Sequence, residues 1–267
     1  MIWNPSRPTA RDYIDGLASA GHHHFTSWDA REALGVSAAA TKLALSRLAR
    51  KGIIAQPARG FYVIVPPEYR SLGCLPPEQF IPSIMHIRAR PYYAGLLSAA
   101  QYHGAAHHRP QQFQVLVQHP VRPIECGRVR VAFVVRKHLR LVPTQFFNTP
   151  RGTIRVSTPE ATAIDLVGYR HRVGGLDQVA TVLTELAAQI DPQELVSAAQ
   201  TAPIPWAQRL GYLLSLVAAG KRADPLRDYV KQAARQSVPL LPSVSYAQAP
   251  RDADWRVFVN SEVEPDL

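Results

Sequence analysis

Cations are the side chains in this sequence best placed to do chemistry. Residues 37–51 read SAAATKLALSRLARK, and their periodicity predicts one helix with Thr41, Ala44, Leu45 and Leu48 along an apolar face. Lys42, Ser46, Arg47 and Arg50 fall outside that stripe, and Lys51 follows at the basic end. Such a helix suits a polyanion. Ala38, Ala39 and Ala40 lack the bulk that would hold it away from base edges, and their methyls can touch thymine methyls. Lys42 can reach a guanine or a phosphate, while Ser37 and Ser46 can donate to phosphate oxygens. Arg47, Arg50 and Lys51 supply charge farther along. Arg59, in the short run PARG, adds a cation at the tip of an expected hairpin.

A second group of cations lies downstream. Residues 86–151 carry ten basic side chains and one acid, Glu125, interleaved with Tyr92, Tyr93, Tyr102, Phe113 and Phe133. Arg with aromatics is a combination that binds nucleic-acid backbone and bases. Arg128, Arg130, Arg136 and Lys137 form a candidate surface for an additional anionic partner. The alternation in RVRVAFVVRK equally places Arg128 and Arg130 on the solvated face of a strand.

Other chemistries find less support. His22, His23 and His24 are consecutive, so a strand would split them between two faces, and His107 and His108 share that limitation. No cysteine or carboxylate joins either group at ligand spacing, and no metal site or cofactor is expected. Cys74 and Cys126 are too few and too far apart for a disulfide framework. No nucleophile elbow, zinc-protease, phosphate-loop or dinucleotide motif occurs, so no catalytic residue is expected. Glu160 and Asp165 stand five apart on an expected helix, which does not make a same-face pair. Glu160 reads as first-turn charge and Asp165 as a solvent-facing or packing residue.

The elements that must position these residues follow from pattern and punctuation. A helix is expected over 8–20, a short strand at HHHFT, a helix over 28–34 capped by Ser27, and the basic helix over 38–51 capped by Ser37. IIAQ and GFYVIV then read as a hairpin. This order is a winged helix-turn-helix spanning residues 1–66. Four prolines within 66–79 mark 67–79 as a connector. Residues 80–267 read as a larger α+β domain with strands first and helices after. FIPSIMHIRAR reads as a helix broken at Pro82 and a short basic link, with a second helix from about Pro91 to His103. FQVLVQ, VRVAFVVRKH and TIRVST are strand-like. Thr158 caps a helix, and helices follow over 176–189, 191–201, 205–219 and 224–236. DWRVFVN reads as a returning strand.

The chain's 267 residues and 46% hydrophobic content suffice for a packed core. Its net charge of +10 favours a polyanionic partner. The excess charge is regional, because residues 152–267 hold 11 basic and 13 acidic side chains. No apolar run approaches the ~18 residues of a membrane span, and a cytoplasmic protein with no membrane partner is expected.

The succession of the winged helix, YYAGLLSAAQYHGAAHHRPQQFQVLVQ, IRVSTPEATAIDLVGY, RLGYLLSL and DWRVFVN resembles the AbiEi-type antitoxins of type IV toxin–antitoxin and phage-defence modules. The order of segments is more specific than any one of them. The resemblance implies that the N-terminal domain binds inverted repeats in promoter DNA and represses the operon. It implies that the C-terminal domain antagonises a nucleotidyltransferase-like toxin, without requiring a tight complex. It supplies no catalytic residues. Two other readings stay open at this point: a metabolite-responsive winged-helix transcription factor with a ligand-binding C-terminal domain, and an enzyme carrying a DNA-targeting domain.

Overall fold

The structure, a computed structural model, describes residues 8–105, 111–217 and 219–265. Its N-terminal part comprises α1 (Ala10–Ser19), β1 (His24–Thr26), α2 (Ser27–Leu34), α3 (Ala38–Arg50), β2 (Ile54–Ala58) and β3 (Phe61–Ile64). The strands form an antiparallel sheet in the order β1-β3-β2. Helix starts are fixed locally. Thr9 and Asp12 form a reciprocal capping box on α1, and Thr26 and Asp29 form another on α2. The cap of α2 is therefore Thr26, one residue before the expected Ser27, because its side chain stands three residues ahead of a carboxylate. Gly35, at φ 60°, ends α2 in the left-handed conformation.

The apolar stripe of α3 works as its spacing predicts. Thr41, Leu45 and Leu48 are buried, the two leucines in a core with Ile14, Phe25, Ala30, Ile54, Tyr62 and Ile64. Strand β3 is apolar throughout because it is covered on both faces. Tyr62 and Ile64 join that helical core, whereas Phe61 and Val63 join a second one with Leu75, Phe80, Ile84, Val115 and Val131.

That second core ties the winged helix to the rest of the chain. Residues 67–79 form short turns with Cys74 and Leu75 fully buried, so the proline-rich segment is part of the packing. After α4 (Ile81–Ile87), a mixed six-stranded sheet is built from β4 (Tyr92–Ala94), β5 (Phe113–Val117), β6 (Ile124–Cys126), β7 (Val129–Val135), β8 (Thr144–Thr149) and β9 (Gly152–Ser157). Its order is β6-β7-β5-β4-β9-β8, with β5–β7 and β4–β9 parallel and the other pairs antiparallel. One face meets the wing through Val115, Val117 and Val131. Tyr93, Leu116 and Val134 on the other meet a helical layer. That layer contains α5 (Leu96–Tyr102), α6 (Pro159–Gly168), α7 (Leu176–Leu186), α8 (Pro192–Gln200), α9 (Ile204–Leu216) and α10 (Asp224–Ala233). Strands β10 (Val238–Pro239), β11 (Arg251–Asp252) and β12 (Val257–Phe258) close the chain in a small sheet. The fold is α+β, as expected.

The helix expected from Pro91 to His103 begins only at Leu96. Pro91 and the extended Gly95 bracket a three-residue strand that sits inside the sheet, where a Cβ on Gly95 would lie 2.5 Å from the Leu116 side chain. Pro82 starts α4 rather than breaking it, since a proline in the first turn forfeits no helical hydrogen bond. Strands β6 and β8, which carry weak patterns of their own, are recruited by their hairpin partners β7 and β9.

The β6–β7 turn shows how tightly the proline-rich segment is held. Gly127 has φ +58°, and a Cβ there would lie 2.1 Å from the Leu72 carbonyl oxygen, while the Arg128 amide donates to that same oxygen at 2.7 Å. Gly127→Ala should therefore cost roughly 2–4 kcal/mol, from the left-handed backbone and the overlap together, read as a lower urea midpoint. Cys74 and Cys126 interact as buried free thiols in the same region, and this contact together with burial raises the Cys74 pKa.

His23 and His24 lie where β1 approaches the second domain. Burial, followed by the neighbouring His24 and Arg151, lowers the His23 pKa from 6.5 to about 4. The folded protein thus keeps this imidazole neutral while the unfolded chain takes up a proton below about pH 6.5. Stability should fall as pH drops from 6.5 towards 4, and urea titrations of His23→Gln should show a shallower fall over that window.

Candidate nucleic-acid interface

Helix α3 presents two chemically distinct sides. With Thr41, Leu45 and Leu48 turned inward, Ala38, Ala39, Ala40, Lys42, Ser46, Arg47 and Arg50 are all exposed. Lys51 follows as the exposed C-cap residue, and Arg59 is exposed in the turn between β2 and β3. Among the described residues, none of Lys42, Arg47, Arg50, Lys51 and Arg59 enters an ion pair. Their charge is therefore available to a partner. Ser37 is the N-cap, and its hydroxyl oxygen accepts from the Ala40 amide at 3.3 Å. Accepting that bond leaves its hydroxyl proton able to donate to a partner. Arg47 and Arg50 also occupy the last turn, where positive charge suits the helix dipole.

The structure adds three apolar side chains that the sequence reading did not single out. Trp28 on α2 is 64% exposed, and Leu43 on α3 and Val36 before it are also open to solvent. The available signal was that Leu43 lies off the 41/45/48 stripe. Alanines, cations and exposed apolar groups thus share the helix-turn-helix.

Two family models match the chain on either side of the proline-rich segment. Residues 13–65 match the model described as a transcriptional regulator, AbiEi antitoxin, and residues 93–216 match the AbiEi antitoxin C-terminal domain. The chain belongs to the AbiEi family. A search of curated proteins found no match. Among solved structures, the RV2827C protein from Mycobacterium tuberculosis is similar in fold, with a TM-score of 0.68 at 16% identity. The alignment covers 95% of this chain and 92% of that one.

In the AbiEi C-terminal domain, the four downstream cations separate. Arg128 and Lys137 are exposed. Arg130 is half-buried, donates to the Gly127 carbonyl at 2.8 Å and lies 3.8 Å from Glu125. Arg136 is not on that surface. Its side chain is 2% exposed, and its Nε donates to Asp165 Oδ1 at 2.9 Å. Its other nitrogens donate to the Lys137 carbonyl and to Thr201 Oγ1, and its guanidinium lies 5.1 Å from the Trp206 ring centre. Arg136 directly follows β7, where the sheet passes beneath the helical layer, so its charge is spent internally.

The partner Asp165 is likewise fully buried, on a helix whose residues 160–167 are all inside. It accepts from Tyr93 at 2.6 Å as well as from Arg136. Burial raises its pKa, against the opposing pull of Arg136 and the Tyr93 hydrogen bond. Glu160, read as first-turn charge, is in the first turn but also buried, accepting from the Asp191 amide at 2.9 Å. His107, His108 and Arg109 lie outside the described residues. No cluster of three or more metal-ligating side chains occurs among the described residues, and no described helix is long and apolar enough to cross a membrane.

Proposed function

We propose that this AbiEi protein is a promoter-binding autorepressor and antitoxin. Its winged helix would read inverted repeats in duplex DNA, and its C-terminal domain would antagonise a nucleotidyltransferase-like toxin. The observation that carries the DNA half is the solvent face of α3, with Lys42, Ser46, Arg47 and Arg50 exposed and the three cations in no ion pair among the described residues. In the groove, the N-terminal alanines would approach base edges, with Lys42 at a guanine or phosphate. Arg47, Arg50 and Lys51 would follow the backbone, and Arg59 on the wing would clamp a phosphate or enter the minor groove. Arg128, Arg130 and Lys137 remain an additional anionic-partner surface. The antitoxin half rests on family membership.

The test is direct. Purified protein should bind its own upstream region with a steep salt dependence, and co-expression should restore growth to cells producing the adjacent toxin. Equal binding to scrambled DNA would overturn the first half, and failure to rescue would overturn the second. A metabolite-responsive regulator has a natural location in the cleft of about 510 Å³ lined by Leu72, Pro76, Tyr102, Phe113, Arg128 and Arg130. That alternative requires a ligand that changes operator affinity.

A further inference from the structure

An aromatic side chain on an edge strand is left open to water where no carboxylate is near. Phe146 lies on β8, the last strand of the six-stranded sheet, and is 64% exposed. The Arg155 guanidinium, from the paired position on β9, stands 5.1 Å from its ring centre. Both line a groove of about 480 Å³ together with His86 on α4, Arg90 in the link that follows it and Tyr92 on β4. A second cleft, of about 250 Å³, shares Pro91, Tyr92 and Arg155 with the first and continues to Arg140 and Thr144. The two form a track along which Arg90, Arg155 and Arg140 follow one another.

The track's electrostatics are one-sided. Neither lining contains a carboxylate, and between residues 79 and 159 the sequence has only Glu125, on the opposite edge strand. Arg90, Arg140 and Arg155 are exposed and enter no ion pair among the described residues. Arg90 is steadied by donating to the Pro120 carbonyl at 3.4 Å. A solvated strand face explains exposed arginines. It does not explain a phenylalanine held open among them, since exposing an aromatic ring forfeits its burial energy.

We propose that this groove binds a single-stranded nucleic-acid segment, with an unpaired base stacked on Phe146 and adjoining phosphates on Arg155, Arg90 and Arg140. Successive cations that track a backbone beside an aromatic platform are the chemistry of single-strand recognition. A duplex keeps its bases stacked on one another and cannot offer a free face to the ring. The groove uses none of the winged-helix residues assigned to promoter DNA, so this site stands or falls separately from them.

The test uses the full chain carrying Lys42→Ala, Arg47→Ala and Arg59→Ala, so that winged-helix charge does not contribute. Fluorescence anisotropy with a labelled mixed-sequence octanucleotide, as RNA and as DNA, is compared with a duplex of the same sequence. The single strand should bind more tightly than the duplex, and the RNA and DNA arms show which sugar is preferred. Phe146→Ala should weaken binding about 5- to 150-fold, the range for losing one base–aromatic stack, and Phe146→Trp should retain it. Arg155→Gln should weaken binding and flatten the salt dependence. Both positions are exposed, so an unchanged melting temperature confirms the fold. Equal affinity for duplex and single strand overturns the proposal, as does loss with Arg155→Gln but not with Phe146→Ala. It is also overturned if no single strand binds, or if sedimentation shows that Phe146→Ala instead breaks a dimer of this chain.

Discussion

Asp165→Ala should destabilise the protein by about 3–5 kcal/mol, the penalty for leaving a buried charge without its partner. Arg136 cannot escape to water, because its side chain is 2% exposed and its remaining hydrogen bonds go to the Lys137 carbonyl and Thr201. Tyr93 would lose its acceptor at the same time. A loss of this size is a large part of a typical domain's stability, so a large fall in the urea midpoint is expected. The double variant Arg136→Met with Asp165→Leu separates charge from packing. Removing both partners together should recover most of the loss, because a buried pair replaced by apolar side chains is often neutral or stabilising. If Asp165→Ala unfolds at the wild-type midpoint, the carboxylate does not neutralise Arg136 in solution.

Lys42→Ala, Arg47→Ala and Arg59→Ala combined should abolish most operator affinity with only a small change in melting temperature. All three side chains are exposed and without ion pairs among the described residues, so the fold loses little beyond the helix-dipole contribution of Arg47. If each meets a phosphate, the log–log salt slope should become shallower by about 2.7, at roughly 0.9 per phosphate neutralised. If Lys42 instead reads a base, its single variant should lose about 1–3 kcal/mol on the operator and much less on unrelated DNA. Single variants measured at two salt concentrations distinguish these roles. An unchanged affinity and slope in the triple variant would place the DNA contact elsewhere on the molecule.

The two experiments probe different kinds of cation, and the sequence does not distinguish them. Arg47 and Arg136 are the same residue type in regions of the same sign of charge. Arg47 could be assigned to an outer face because α3 is amphipathic, and helical spacing says which side is wet. Arg136 follows a β-run, where alternation separates two faces without saying what covers each. The same gap affected Asp165. A carboxylate on a helix is solvent-facing unless the helix is enclosed on all sides, and α6 is enclosed by strands and helices contributed from elsewhere in the chain.

Short-range interactions settled much else. Ser37 and Thr158 cap their helices as the sequence indicates, and the β2–β3 hairpin forms around Arg59 and Gly60. Caps, turns and helical stripes involve residues within about four positions of one another, so the local sequence contains all the participants. The order of segments sufficed for the family. Tertiary structure alone decided that Tyr92–Ala94 is a strand, that the proline-rich segment is built into a core, and that Arg136 reaches Asp165 across 29 residues and Tyr93 reaches it across 72. It also decided that Phe146 stands open beside Arg155 on a sheet edge. The reason is physical: burial and charge pairing depend on which layers close over a residue, and those layers come from distant parts of the chain.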